Sequence, residues 1–354
     1  MEKKIIIGMS GGVDSSVAAI LLQEEGFDVY GITLKLLNSD INGRCCNIED
    51  TLASKRLCDK LGIPHYTLNY IKDFKENVID YFVNEYENLR TPNPCIECNK
   101  YLKFGKMYEA AKDLNVEYIA TGHYANIEYS EKYGRYVIRK ANNIEKDQTY
   151  FLYNIPKEIL PFVRFPLGKY SSKDEIRKIA SSKGFTELAN KPDSEDVCFI
   201  PNGDYREFLE KEAGFIPKVG NIVDKDGNIL GKHEGLYKYT IGQRRGLGIS
   251  NENRLYVIGY NKGRNELIVG EESDLYQSEM IVKDVNLLLF DEIKEPIKVN
   301  VKTRYSKREA PATISQIDEN NIKVIFDNPE PRITSGQSAV FYIDDILVGG
   351  GKIV

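Results

Sequence analysis

The stretch that decides the fold is IIIGMSGGVDSS, Ile5 to Ser16. A short apolar run ends in a glycine and serine loop. Val17, Ala18, Ile20 and Leu21 then follow at helical spacing as far as Gly26. This is strand, loop, helix. Gly11 and Gly12 let the backbone take positive φ and lie close to an anion. Their N–H groups, the helix N-terminus and the hydroxyls of Ser10 and Ser15 make a phosphate cradle. The loop is neither GxxxxGK[ST], whose lysine it lacks, nor GxGxxG.

Outward from this loop the pattern repeats. DVYGITLKL and PHYTLNY read as strands, and NIEDTLASKRLCDKLG and FKENVIDYFVNEYENL as helices. A loop, TPNPCIECNK, precedes the helix YLKFGKMYEAAKDL and the strand VEYIAT. Strands separated by helices of this length predict a Rossmann-like parallel sheet covered on both faces, in the α/β class. Its chemistry belongs at the carboxyl ends of the strands, at the loops beginning at Gly8, Lys35 and Gly122. After a capping box at Ser172 and Glu175 and a short helix in DYREFLEKE, the strands shorten and glycines recur. KDGN and NKGRNE read as hairpin turns, and the last 75 or so residues alternate like a small β-barrel. The chain divides into a nucleotide-binding domain (1–200), a small β-rich central domain (201–273) and a C-terminal β-barrel (274–354), with a linker near 273–278.

The composition is that of a globular protein, with 29% charged and 42% hydrophobic residues. No run approaches the length of a membrane helix, and the N-terminal apolar run is too short for a signal peptide, which predicts a cytoplasmic protein. The net charge of −5 gives no global mark of a nucleic-acid binder, but binding depends on where basic groups cluster. Six cysteines in 354 residues are not a disulfide framework.

SGGVDS resembles the pyrophosphate loop of the N-type ATP pyrophosphatases (the PP-loop enzymes). Further motifs narrow the resemblance: TPNPCIECNKYLKF, ATGHYA (120–125), KDQTYFLY (146–153), DSEDVCFI (193–200), GQRRGLGI, VKTRYS and GQSAVFY. Their order, over essentially the whole chain, is similar to that of the tRNA-specific 2-thiouridylases. The resemblance implies an enzyme that adenylates the C2 oxygen of the wobble uridine in tRNAs for Glu, Gln and Lys and replaces it with sulfur. It implies ATP contacts at Gly8, Met9, Ser10, Gly11, Gly12, Val13, Asp14, Ser15, Leu34 and Gly122. Magnesium would neutralise the departing pyrophosphate, with Asp14 as the carboxylate expected near it. It further implies tRNA contacts at Asn93, Pro94, Cys95, His123, Lys146, Asp147, Gln148, Arg304, Tyr305 and Gln337.

Sulfur must arrive as a strong nucleophile, and thiolates carry it. The resemblance implies that Cys198 holds a persulfide received from a desulfurase, a relay protein or free sulfide. Cys98 then releases sulfide from it or resolves it as a disulfide. The family motif has aspartate where Cys95 stands, so Cys98 matches the catalytic position and Cys95 adds a thiol. A closed zinc site wants four ligands, and a second CxxC is missing. Cys95, Cys98 and Cys198 would instead suit a [4Fe–4S] cluster with one open iron. Cys198 also fits a plain buried strand, VCFI. Cys58 reads as core, and Cys45, Cys46, His65 and His233 receive no role. Lys302 to Arg308, with four basic residues and Tyr305, and the pair Arg244 and Arg245 are basic spots for phosphate. Two other classes stay open. One is a different PP-loop ATP pyrophosphatase, which would not need both cysteines. The other is a metal-containing RNA-binding protein with a vestigial nucleotide loop.

Overall fold

The computed structural model describes residues 3–38, 48–190, 197–200, 203–249 and 254–354. Cys45, Cys46 and the first half of DSEDVCFI, 193–196, lie outside them. The strands of the first half are β1 (Lys4–Gly8), β2 (Asp28–Lys35), β3 (His65–Asn69), β4 (Tyr118–Ala120), β5 (Asn126–Ser130), β6 (Arg135–Arg139) and β7 (Val163–Arg164). Five of them form a parallel sheet in the order β3-β2-β1-β4-β7.

Alternation along β1 shows why both faces are covered. Ile5 and Ile7 pack with Val17, Leu21, Leu57 and Cys58 on one side. Ile6 packs with Phe74, Phe82, Leu102 and Phe104 on the other. The first face is closed by helices Val13–Glu24 and Ile48–Leu61. The second is closed by two longer helical stretches, residues 71–87 and 94–113. The Cys58 thiol, wholly buried, is pushed up to about 11 by burial and the nearby Asp59 charge, so it is an inert core residue.

TPNPCIECNK differs from the loop expected of it. The helix starts at Pro94, not at Tyr101: Asn93 is its cap and Pro94 its first residue. Proline is suited to that position because its φ is already helical and its missing N–H has no partner there. The middle of the helix, Cys98–Lys106, is wound as a π-helix, a form frequent at functional sites. VCFI is also corrected, because residues 197–200 form a turn rather than a strand.

In the second half, β8 (Gly220–Val223), β9 (Ile229–His233), β10 (Tyr256–Asn261) and β11 (Glu266–Gly270) make a four-stranded sheet around Ile222, Val257, Leu267 and Val269. The KDGN and NKGRNE hairpins are present. The expected linker at 273–278 is instead a capped turn, Glu272–Leu275, that runs straight into strand β12 (Tyr276–Leu287). The remaining strands are β13 (Ile297–Lys302), β14 (Ala310–Gln316), β15 (Ile322–Pro331), β16 (Ser338–Ile343) and β17 (Ile346–Ile353). They follow the order β12-β15-β14-β13-β16-β17, and pairing of β12 with β17 closes the six strands into a barrel. The hairpin β5–β6, which the sequence reading passed over, joins this barrel through Arg139 and Ile346. Val137 of that hairpin is buried in the barrel's core cluster.

Candidate active site

At the carboxyl end of β1 the glycine loop is held by its own serines. The Ser15 hydroxyl lies 3.1 Å from that of Ser10 and accepts the Ser10 N–H at 3.2 Å, and Ser16 Oγ donates to Gly12 O at 2.8 Å. Thr33 Oγ1 donates to Met9 O and lies 2.9 Å from His65 Nε2, which ties β2 to the loop. Gly11 has φ +70°, and a Cβ there would come within 2.8 Å of Asp50 O. A Cβ on Gly122 would lie 2.8 Å from both Asp14 C and Ser15 N. The two loops expected to hold ATP therefore meet backbone to backbone, and Met9, Val13 and Leu34 are buried beneath them.

Two residues not picked out from the sequence complete this corner. Tyr124 OH donates to Asp14 Oδ1 at 2.7 Å, and Lys173 Nζ lies 2.6 Å from both Asp14 oxygens. Lys173 is the first residue of helix Lys173–Ser182. A cation at a helix N-terminus opposes the helix dipole. That mismatch was the signal in the sequence, and the structure resolves it by aiming the ammonium at Asp14.

The KDQTYFLY segment is clipped to the same corner. Gln148 accepts the Tyr124 N–H at 2.9 Å and returns its own N–H to Tyr124 O at 2.9 Å. Asp147 is buried, accepting Ala141 N–H at 3.0 Å and Thr149 Oγ1–H at 2.6 Å. Burial raises its carboxyl, against these hydrogen bonds and the charge of Lys302. Tyr305 packs 4.5 Å from the Phe151 ring and 6.1 Å from that of Tyr150, with Lys302 Nζ 5.2 Å over it. Arg304 is turned inward: its guanidinium donates to Ile241 O at 3.2 Å and to the Thr334 hydroxyl, bracing the barrel on the central domain. Desolvation lowers its affinity for a proton. Gln337 Nε2 donates to Thr91 O at 2.8 Å, so the GQSAVFY loop touches the start of the CxxC segment. Arg244 and Arg245 are exposed on a turn. Four segments far apart in sequence, around residues 91–98, 146–153, 302–305 and 335–338, thus gather on one side of the molecule.

Cys98 is buried and Cys95 exposed on the first turn of their helix. Asn99 anchors that turn by donating to Phe151 O at 2.9 Å. Cys198 is half-buried and packs against the apolar cluster to which Cys98 belongs. Its neighbour Phe199 fixes it, set edge-on among Phe74, Phe82 and Phe208 at 5.3–5.8 Å. A cleft of about 250 Å³ lies between the two segments, lined by Pro92, Pro94, Val197 and Ile200 with Phe82 and Tyr86. Among the described residues, no group of three or more His, Cys, Asp and Glu side chains is arranged to hold a metal ion. Among the same residues no helix is long and apolar enough to cross a membrane.

His123 is buried against Phe104 and Phe165, its Nδ1 2.7 Å from Thr121 Oγ1. Burial holds it well below the ordinary histidine range, and the Lys103 charge acts the same way. His65 and His233 are lowered by burial too. In the unfolded chain all three titrate near pH 6.5, so below that pH the unfolded state binds more protons than the native one. Stability is therefore intact above about pH 6.5 and falls as the pH drops toward the folded values, by up to about 1.4 kcal/mol per pH unit for each histidine that stays neutral. Urea midpoints should fall between pH 7 and 5.5, and His123→Asn should flatten that fall; an unchanged slope would count against a neutral His123.

Strand, glycine loop and helix, with Gly122 packed on Asp14 and two cysteines beyond, define a PP-loop nucleotide-binding domain joined to a β-barrel. Three family models match in succession. They are described as a tRNA methyl transferase HUP domain at 3–202, a tRNA methyl transferase PRC-barrel domain at 206–271 and an aminomethyltransferase beta-barrel domain at 277–353. The tRNA-specific 2-thiouridylase MnmA of Clostridioides difficile is 47% identical over 100% of this chain and 98% of its own length. That of Clostridium acetobutylicum is 47% identical over all of both chains. The chain belongs to the MnmA family of tRNA-specific 2-thiouridylases.

Proposed function

We propose that the chain adenylates the C2 oxygen of the wobble uridine in tRNAs for Glu, Gln and Lys, in the cytoplasm, and replaces that oxygen with sulfur. One observation carries the reading. The Cys98 helix packs through Phe104 against His123, next to the Gly122 that lies on Asp14 of the glycine loop. Thiol and nucleotide corner are therefore neighbours on one domain. "Methyl transferase" in the family-model descriptions does not match this chemistry, since methyl transfer needs neither ATP cleavage nor two thiols.

The glycine loop binds the phosphates through backbone N–H groups, which favour the charge of the leaving pyrophosphate. Asp14 offers a hard oxygen donor of the kind magnesium takes, and the ion when bound would neutralise pyrophosphate charge. Lys173 beside Asp14 adds a fixed positive charge. The uridine oxygen takes AMP, making it a leaving group. A donor persulfide transfers its outer sulfur to the Cys198 thiolate and leaves as a thiolate. Cys98 thiolate then attacks the Cys198 sulfur: the S–S bond to the outer sulfur breaks, a Cys98–Cys198 disulfide forms and hydrosulfide departs. Hydrosulfide adds to C2, AMP leaves with the oxygen, and a thiol reductant restores the cysteines. Cys95 on the exposed first turn, Asn93, Pro94, Lys146, Gln148, Tyr305 and Gln337 border the tRNA. Asp147, His123 and Arg304 shape that border from within.

The test is pyrophosphate release from ATP on adding unmodified tRNA, with 2-thiouridine scored by mass spectrometry. Release should need tRNA, fall steeply with salt as phosphate contacts require, and vanish in Asp14→Asn. Release without tRNA dependence would sink the reading. Iron analysis after anaerobic purification, with thiolation assayed in iron-free protein, separates the persulfide route from a cluster on Cys95, Cys98 and Cys198.

A further inference from the structure

The CxxC segment contains an acid that the reaction does not use. Glu97 is 4% exposed, one residue before Cys98. Its carboxylate pairs with Lys352 of β17 at 3.0 Å. The Lys352 ammonium also sits 4.4 Å over the ring of Tyr81, and Asp284 lies 3.9 Å away near the barrel surface. Lys352 is in register with Ser338 on β16. Ser338 in turn accepts the Tyr150 hydroxyl at its carbonyl (3.0 Å) and meets the Tyr153 hydroxyl at its Oγ (3.0 Å). One row of the barrel therefore grips both the first turn of the Cys98 helix and the KDQTYFLY segment.

We propose that Glu97 and Lys352 are positioning residues through which the barrel fixes the orientation of the Cys98 thiol. Taking two charges out of water brings little net stability, and apolar residues of the same volume would hold the interface as well. What the pair adds is direction. A carboxylate and an ammonium meet in a narrow set of geometries, whereas an apolar contact between a helix turn and a strand tolerates rotation and slip. The helix end most needs such a constraint at its first turn, whose backbone N–H groups have no carbonyl four residues earlier in the helix to bond. The Asn93 side chain makes no capping bond there. The barrel thereby sets the thiol in the geometry that sulfur transfer requires. The consequence for catalysis rests on the function proposed above; the consequence for the thiol does not.

The experiment uses the full chain and three variants, Lys352→Met, Lys352→Arg and Glu97→Leu/Lys352→Met. Cys98 and Cys198 alkylation by iodoacetamide is followed by mass spectrometry at one pH. Lys352→Met should raise the Cys98 rate relative to Cys198 by about threefold or more, as the first turn loosens, and Lys352→Arg should keep the original ratio. The double apolar variant should regain thermal stability yet keep the raised ratio. With tRNA, both Met-containing variants should keep pyrophosphate release and the KM for tRNA while thiolation falls about tenfold, less than the roughly hundredfold of a full 1 Å misplacement. An original ratio and full thiolation in the double variant, or an arginine variant as perturbed as the methionine one, would overturn the proposal. If the unmodified protein fails to thiolate but the alkylation ratios shift as described, the positioning role stands and the proposed function falls.

Discussion

Cys98→Ser and Cys198→Ser should each lower thiolation by about a thousandfold or more, the scale on which removal of a nucleophile is felt, while tRNA-dependent pyrophosphate release continues. The two losses should not add, because the proposed disulfide-forming step uses both thiols. The separation follows from the structure. Cys98 sits just past the first turn of a helix and Cys198 on a turn pinned by Phe199, and neither is a partner in the serine bonds that shape the glycine loop. Cys95→Ser should cost far less, since its side chain is exposed on the first turn. A Cys95 variant as inactive as the other two would point to a shared three-cysteine site, and iron content would then decide the matter. The measurement is 2-thiouridine per tRNA beside pyrophosphate per tRNA, in the same reaction.

Gly122→Ala should act on the opposite half of the reaction. One methyl group at that position meets backbone atoms of Asp14 and Ser15 at 2.8 Å. No flexible side chain is there to yield, so the loop after β4 or the start of the first helix must move. A shift approaching 1 Å in groups that orient ATP costs on the order of a hundredfold. Pyrophosphate release and thiolation should fall together by that factor, with Cys98 and Cys198 still alkylated at their original rates. Loss of thiolation alone would contradict the placement of Gly122 at the nucleotide.

Much of this was legible along the chain because local physics carried it. Three isoleucines followed by two glycines and a helical repeat have few other solutions than strand, phosphate loop and helix, and β1 and the first helix lie where that pattern put them. Hairpin turns at KDGN and NKGRNE were readable for the same reason. The start of the Cys98 helix was not, because Pro-Asn-Pro reads equally as a loop and as a cap followed by a first-turn proline. The β5–β6 hairpin escaped because its partner strand, β17, lies about two hundred residues later. The side chains that join the site escaped for a like reason. Lys173 on Asp14, Tyr124 on Asp14 and Lys352 on Glu97 are pairings between segments, with no local periodicity to announce them.

The sequence by itself determined the nucleotide loop, the layered α/β domain, the β-rich second half and the cysteines available for sulfur, since each is set by residues within a turn or two of one another. Only the tertiary structure decided which motif residues face outward and which turn in. Asp147 and His123 are buried struts and Arg304 is a half-buried one, while Cys95 and part of Tyr305 reach the surface. It also decided that the barrel holds the Cys98 helix by a partly buried ion pair. Burial and pairing depend on what arrives from elsewhere in the chain, and a single segment does not encode its neighbour.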